Sequence, residues 1–309
     1  MKGPFILAVC KPVGITSYDV IRDLKRNMPW KYDKVGHFGT LDPFATGVLL
    51  LGFNGASRLN DLIHEKLPKT YLAIGKLGIT TDTGDRTGEV IASDESRFFK
   101  EELSKLPRDY VEQKLREKFV GEYFQTPPIY SATKFQGKAL HEWAREGVDI
   151  KKEPVRREVY SLEVVKYAHP YLAIRVTVSS GTYIRVLFQE AAEYFGTHGT
   201  LIGLVRESVG HLNLKKCLIK KNWPQGKTDT HFDQKNILLP REVLPFEEIE
   251  LGENDLKRFA NGNPVSIPQA QIKKSHENFK WIMSQGRELG LARVQDGLLH
   301  PDINFAGKY

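Results

Sequence analysis

The chain has 309 residues, 40% of them hydrophobic and 27% charged, a composition that excludes a disordered or fibrous protein and gives room for one large domain plus a small one. No apolar run reaches membrane-spanning length, and the two cysteines, Cys10 and Cys217, form neither a metal nor a redox spacing and fit a reducing compartment. The formal net charge of +7 favours a polyanionic partner without establishing one, and the local cluster Lys151, Lys152, Arg156 and Arg157 reads by itself as a solvated face.

The N-terminus starts like a secretory signal, but its apolar stretch is short and Lys11 and Pro12 follow at once. Residues 5–9 read instead as a first strand. Thr16 or Ser17 caps a helix whose apolar positions Val20, Ile21 and Leu24 fall at helical spacing. A basic loop with Lys31 and Lys34 follows. The next stretch, 36–43, holds too many small and turn-forming residues for a regular element. Residues 48–53 read as a strand, 56–65 as a helix, 70–77 as a strand and 80–88 as a polar turn. Val111, Leu115 and Phe119 repeat at a spacing of four, which predicts a helix. The stretch 121–147 carries Pro127, Pro128 and several aromatic and basic residues, with a short helix near 139–145; long segments of this kind are functional or mobile. Strands follow over 159–165 and 171–178, the second alternating at Ile174, Val176 and Val178. Gly181 breaks it, a helix runs from about 183 to 195, and 200–209 has strand character. Strands and helices mix without a βαβ rhythm, so the fold class is α+β. A polar connector over 223–236 leads to a β-rich segment from about 246 to 309.

Asp42 sits in a Gly-rich loop closed by Pro43, where a carboxylate can meet a closely approaching ligand. Taken alone, such an aspartate is more often a turn former or a helix cap. His37 upstream suggests a metal pair, but no third ligand lies at useful spacing.

GHFGTLDPFATGVLLLGFNGASRL, starting at Gly36, resembles the signature of the bacterial tRNA pseudouridine-55 synthase family. Five further stretches resemble motifs of that family in order: KPVGITSYDV (11–20), KTYLAIGKLGITTDTGD (69–85), SSGTYIRVL (179–187), LVRESVG (204–210) and FANGNPV (259–265). PPIYSATKFQGKALHEWAREG (127–147) resembles its RNA-gripping insertion. The resemblance implies a mixed, largely antiparallel pseudouridine-synthase-like sheet flanked by helices. It implies a catalytic domain over 1–235, with the insertion at about 122–150, and a small β-rich C-terminal domain over 236–309. In the family that last part is often a PUA-type domain; here it is short and matches the pattern loosely.

The resemblance also assigns roles. Asp42 matches the catalytic aspartate, which attacks either the ribose or the base; in each version the glycosidic bond breaks, the uracil turns and carbon 5 bonds to the sugar. Arg185 matches its cationic partner, and a planar guanidinium suits a carboxylate through two hydrogen bonds. By residue type alone Arg185 reads as a surface residue at a helix start. Tyr71 matches the tyrosine that stacks on the target base and is a candidate for removing its carbon-5 proton. Tyr183 matches a second pocket tyrosine, Leu204 an apolar wall, His37 a residue holding flipped nucleotides, and Lys11 a basic residue of the opening motif counted with the substrate-binding set. The implied substrate is uridine 55 in the T-arm of tRNA, which must be flipped out to react. Tyr130, Lys134, Phe135, Lys138, His141, Trp143 and Arg145 of the insertion offer aromatic and basic surface for that RNA, ordering on binding. An isomerisation within one nucleotide needs no cofactor and no metal. A cytoplasmic monomer is expected, with no membrane and no required protein partner. The rivals are a non-catalytic RNA-folding module, a guide-RNA-dependent synthase and a metal hydrolase built on His37 and Asp42.

Overall fold

Burial along the first strand, β1 (Phe5–Lys11), sets the plan of the molecule. Phe5, Leu7 and Val9 pack into one apolar cluster, and Ile6 and Ala8 into another on the opposite face. A strand buried on both faces needs a layer on each side. The computed structural model describes residues 3–29, 31–128, 130, 134, 135, 138, 139, 143, 152–226, 229, 237–266 and 278–305.

The first layer is helix α1 (Ser17–Asn27). Its start is a capping box: Thr16 Oγ1 accepts from the Asp19 amide at 3.0 Å, and Asp19 Oδ2 accepts from the Thr16 amide at 2.9 Å. Val20, Ile21 and Leu24 then pack on Leu7, Val9, Leu49 and Leu51. Strand β2 (Val35–His37) pairs with β3 (Thr46–Phe53), so Gly36 and His37 belong to a short edge strand and not to the irregular loop expected over 36–43. A 3₁₀ turn (Ala56–Leu59) and helix α2 (Asn60–Lys66) lead into β4 (Lys69–Leu77), where Lys69, Tyr71, Ala73, Gly75 and Leu77 are buried at every second position. The polar turn expected over 80–88 carries a small hairpin, β5 (Ile79–Thr81) with β6 (Val90–Ser93). Helix α3 (Arg108–Phe119) buries Val111, Leu115 and Phe119, as its spacing requires.

Strand β7 (Gly121–Gln125) opens the expected insertion. The described part of that insertion includes two two-residue strands, β8 (Lys134–Phe135) and β9 (Lys138–Ala139), paired with each other. His141, Arg145, most of the helix expected near 139–145 and most of the expected grip lie outside the described residues, while Ala139 belongs to β9 and not to a helix. Strands β10 (Val155–Ala168) and β11 (Tyr171–Val178), helix α4 (Ile184–Tyr194), β12 (Gly199–Val209) and β13 (Leu212–Asn213) complete the first half.

The large sheet runs β14–β1–β3–β12–β4–β11–β10–β7, where β14 is Ile237–Leu238; β13 and β2 attach to β12 and β3. All its pairings are antiparallel except β3 with β12. The expected mixed, largely antiparallel α+β fold is therefore present. The β3–β12 junction requires Gly47: with φ at +119°, a Cβ there would lie 2.3 Å from the Arg206 carbonyl oxygen.

The C-terminal part holds helix α5 (Pro240–Val243), β15 (Glu247–Glu250), helix α6 (Glu253–Ala260), β16 (Val265–Ser266), β17 (Phe279–Ser284), β18 (Arg287–Gln295) and β19 (Leu298–Asn304). Its strands order as β15–β17–β18–β19–β16. This second sheet is not set apart by a free linker. Phe246, Trp281, Met283 and Phe305 share one buried cluster with Ile6, Ala8, Val48, Leu50 and Leu59 of the first half. Trp223, expected in the polar connector, is 3% exposed; it sits in the cluster under α1 and donates its indole N–H to the Leu218 carbonyl at 3.0 Å.

Candidate active site

Pairing in the sheet decides which side chains meet. Opposite residues in an antiparallel ladder share a face. Leu204 lies opposite Ala73, and Arg206 opposite Tyr71. Lys69 and Tyr71, two apart on β4, therefore share one face with Leu204 and Arg206 of β12. The N-terminus of α4 covers this face, and the 38–45 loop closes one side. Together they enclose a cavity of about 310 Å³ lined by Asp42, Tyr71, Tyr183, Arg185 and Leu204, with Gly39, His64, Lys69 and Arg206. A volume of that order suits a small ligand or one nucleotide base.

The loop is held from several sides. Ser17 Oγ accepts from the Leu41 amide at 2.9 Å, and its hydroxyl lies 3.2 Å from the Leu41 carbonyl. Arg206 is 1% exposed and donates Nε to Val48 O, Nη1 to Thr40 O and Nη2 to Gly39 O, at 2.6, 3.2 and 3.2 Å. Lys11 donates Nζ to the carbonyls of Pro12, Ile15 and Pro43 at 2.9, 2.7 and 3.4 Å. Phe38 is fully buried beneath. What remains open is the Asp42 side chain, 39% exposed.

Arg185 faces it from α4. Its Nε donates to Asp42 Oδ2 at 3.0 Å, Nη1 to Thr83 O at 2.5 Å and Nη2 to Tyr130 O at 2.9 Å. The two-bond fork expected from the sequence is therefore a single bond: the other two nitrogens hold backbone, and Asp42 Oδ1 takes no bond from Arg185. Nor is Arg185 a surface residue, for its side chain is 6% exposed. A second carboxylate stands by it, Asp85 Oδ2 at 3.9 Å, itself 7% exposed and fixed through Oδ1 by the amide and hydroxyl of Thr87. One buried cation thus serves two aspartates, and the more open one faces the cavity.

Tyr183, at the N-terminus of α4, is clamped by Gln125. Its amide donates to Gln125 Oε1 at 2.7 Å, and Gln125 Nε2 donates to the Tyr183 carbonyl at 3.0 Å. Tyr123 accepts from Gln125 at 3.0 Å and donates to Glu190 at 2.5 Å. His37 does not line the cavity around Tyr71. It lines an adjoining recess of about 500 Å³ that shares Asp42, Tyr183 and Arg185 with that cavity and adds Tyr130. Burial lowers its imidazole below the ordinary histidine value, and its Nδ1 is buried without a hydrogen bond among the described residues.

Lys11 is placed differently from the substrate-binding role that the resemblance implies. It is fully buried, with Nζ committed to the carbonyls named above, so it shapes the loop and offers no free amine to a ligand. Burial holds it down to about 8, against the pull of Asp42. Sequence reasoning passed over Lys69, Asp85, Gln125 and Arg206. A usable signal was present for two of them: Lys69 and Arg206 are charged residues on the buried phase of period-two strands.

Comparison with known proteins places the chain in a family. Residues 25–184 match the family model described as the TruB family pseudouridylate synthase N-terminal domain. A relative in Caldicellulosiruptor saccharolyticus named tRNA pseudouridine synthase B is 36% identical over 261 residues, covering 84% of this chain and 83% of that protein. One of the same name in Thermotoga maritima is 39% identical over 303 residues, covering 94% and 90%. Among solved structures, a Cbf5–Nop10–Gar1 complex contains a chain of the same fold, with a TM-score of 0.67 at 20% identity, covering 97% of this chain and 83% of that one. The fold is thus that of a pseudouridylate synthase. The chain belongs to the TruB family.

Proposed function

We propose that this protein isomerises uridine to pseudouridine in tRNA, at position 55 of the T-arm, with Asp42 as the reacting carboxylate. The observation that carries the reading is the Asp42–Arg185 pair at 3.0 Å, at the mouth of a base-sized cavity, in a chain of this family. A carboxylate that reacts must stay ionised while partly desolvated, and a fixed buried cation allows both. Arg185 keeps that charge in place while Asp42 Oδ1 faces the ligand. Tyr71, 7% exposed on the cavity floor, supplies a flat surface on which a uracil can be held in plane and still turn. Leu204 closes the apolar side, and Tyr183 stands at the entrance. The recess containing His37 suits a neighbouring unstacked nucleotide.

Bond breaking, rotation of the uracil and bonding through carbon 5 all occur within one nucleotide, so the reaction calls for no redox group or bound nucleophile. Tyr71 is the candidate for taking the carbon-5 proton. The second sheet and the insertion over about 122–150 are the further surfaces for RNA, and the protein works as a monomer in the cytoplasm. The relatives' shared name and the +7 charge support tRNA as the substrate.

The test is pseudouridine mapping on unmodified tRNA and on the bare T-arm stem-loop after incubation with purified protein. The expected result is one pseudouridine at position 55 in each RNA. Modification elsewhere, or none without a guide RNA or second protein, overturns the assignment.

A further inference from the structure

One wall of the cavity is basic; beyond the bonds by which Arg206 holds the Asp42 loop, it takes no part in the reaction proposed above. Lys69 and Arg206 line it at 3% and 1% exposure, and His64 joins them from α2. Gly39 lies across from this group with φ at +87°; a Cβ there would sit 3.6 Å from the His64 ring and 3.7 Å from Lys69 Cε, so the glycine keeps the gap between loop and wall open. Lys69 Nζ donates to Ser180 Oγ and, at 3.4 Å, to the Leu67 carbonyl, which leaves one of its three protons uncommitted. Arg206 is held by three carbonyls and adds charge to the wall without a free fork. Among the described residues, neither Lys69 nor Arg206 forms an ion pair. The acidic groups nearby are Asp61, which acts on His64 along α2, and Asp42, which Arg185 holds.

A buried ammonium beside a buried guanidinium, with no carboxylate between them, is an expensive arrangement for folding. Burial and Arg206 push Lys69 down to about 7, and burial with both cations pushes His64 down to about 4. An arriving anion relieves each of these costs at once. We propose that Lys69, His64 and Arg206 form an anion subsite that takes a backbone phosphate next to the target uridine. The inference rests on the cavity receiving an RNA nucleotide. Lys69 gives the phosphate its free proton and most of the charge, neutral His64 offers a ring N–H, and Arg206 contributes field. The phosphate would then sit on the side of the base away from Arg185, so the strand is gripped on one wall while the sugar meets Asp42 on the other.

The experiment measures binding of T-arm stem-loops in which single linkages flanking the target uridine are neutral methylphosphonates, with the matching 2′-O-methyl sugar also in the control RNA. Wild-type protein should bind one of these RNAs about tenfold more weakly, the loss of a charge-assisted hydrogen bond. Lys69→Met should bind the control RNA more weakly by a similar factor and lose nothing further at that linkage. Its slope of log affinity against log salt should fall by about 0.7, the value for one single-strand phosphate. Lys69→Arg should keep the sensitivity to that linkage. Losses that simply add between the variant and the neutral linkage overturn the subsite while leaving the isomerase reading intact. If wild-type protein neither binds nor converts the control stem-loop, both fall together.

Discussion

Arg185 serves two carboxylates with one guanidinium, and the two differ in exposure and in what else holds them. Asp85 is buried and tied to Thr87; Asp42 is open. Arg185→Lys keeps a charge but loses the planar nitrogens that hold Thr83 and Tyr130. Turnover should fall on the order of a hundredfold with tRNA affinity changed far less, as single-turnover rates and filter binding would show. A rate within a few-fold of wild type would mean that the pair does not orient Asp42. Lys69 makes a second prediction, on stability. Its folded value of about 7 lies below the ordinary lysine value of 10.5, so between these limits the unfolded chain binds a proton that the folded chain lacks. On its account, stability rises with pH across that window. Lys69→Met should therefore raise the melting temperature most at pH 7 and below, and the gain should fade towards pH 10.5. A gain independent of pH would contradict the buried-ammonium reading. The residue types of Asp42, Tyr71 and Arg185 are visible in the sequence, yet only the resemblance to a family singles them out. A turn aspartate and a strand tyrosine carry no mark of the cavity that joins them.

At the scale of elements, amphipathic pattern predicts well where one face is buried and the other wet. Helix α1 carries its cap at Thr16 and its apolar stripe at Val20, Ile21 and Leu24, and β11 alternates over the very span expected, Tyr171–Val178. Thr16→Ala should cost about 1 kcal/mol in denaturant unfolding, the usual worth of an N-cap. Strand β7 escapes such reading because it is short and lies at the sheet edge, with Phe124 58% exposed. It matters nonetheless. Gln125, its last residue, holds both backbone polar groups of Tyr183 and so ties the base of the insertion to the helix that bears Arg185. Gln125→Ala should leave those groups partly unpaired, at about 1–3 kcal/mol. It should lower turnover more than affinity, as steady-state kinetics on the T-arm stem-loop would reveal. Unchanged kinetics with the same loss of stability would reduce Gln125 to a structural part.

Across the whole molecule the surprise is continuity. A polar connector and a change of composition suggest two separate bodies, and strand periodicity says which residues are inward but not what they meet. The answer is that Trp281, Phe246 and Phe305 pack on the back of the catalytic sheet, against Ile6, Ala8 and Val48. Arg58 Nη1 donates across the same junction to the Asn304 carbonyl at 2.9 Å. The second sheet is thus part of the support for β1 and for β3, the strand into which the Asp42 loop runs. Trp281→Ala should cost about 3–5 kcal/mol, and both sheets should melt in one transition by near- and far-ultraviolet circular dichroism. Two separate transitions in the wild-type protein would contradict a shared core.

Everything proposed about chemistry returns to Asp42, and tritium release from tRNA labelled at carbon 5 of uridine tests it most directly. Pseudouridine formation must expel that hydrogen, so release reports the reaction itself. Wild-type protein should release one tritium per tRNA, whereas Asp42→Asn should bind the same tRNA with similar affinity and release none above background. Near-normal release by Asp42→Asn would show that the reacting group lies elsewhere.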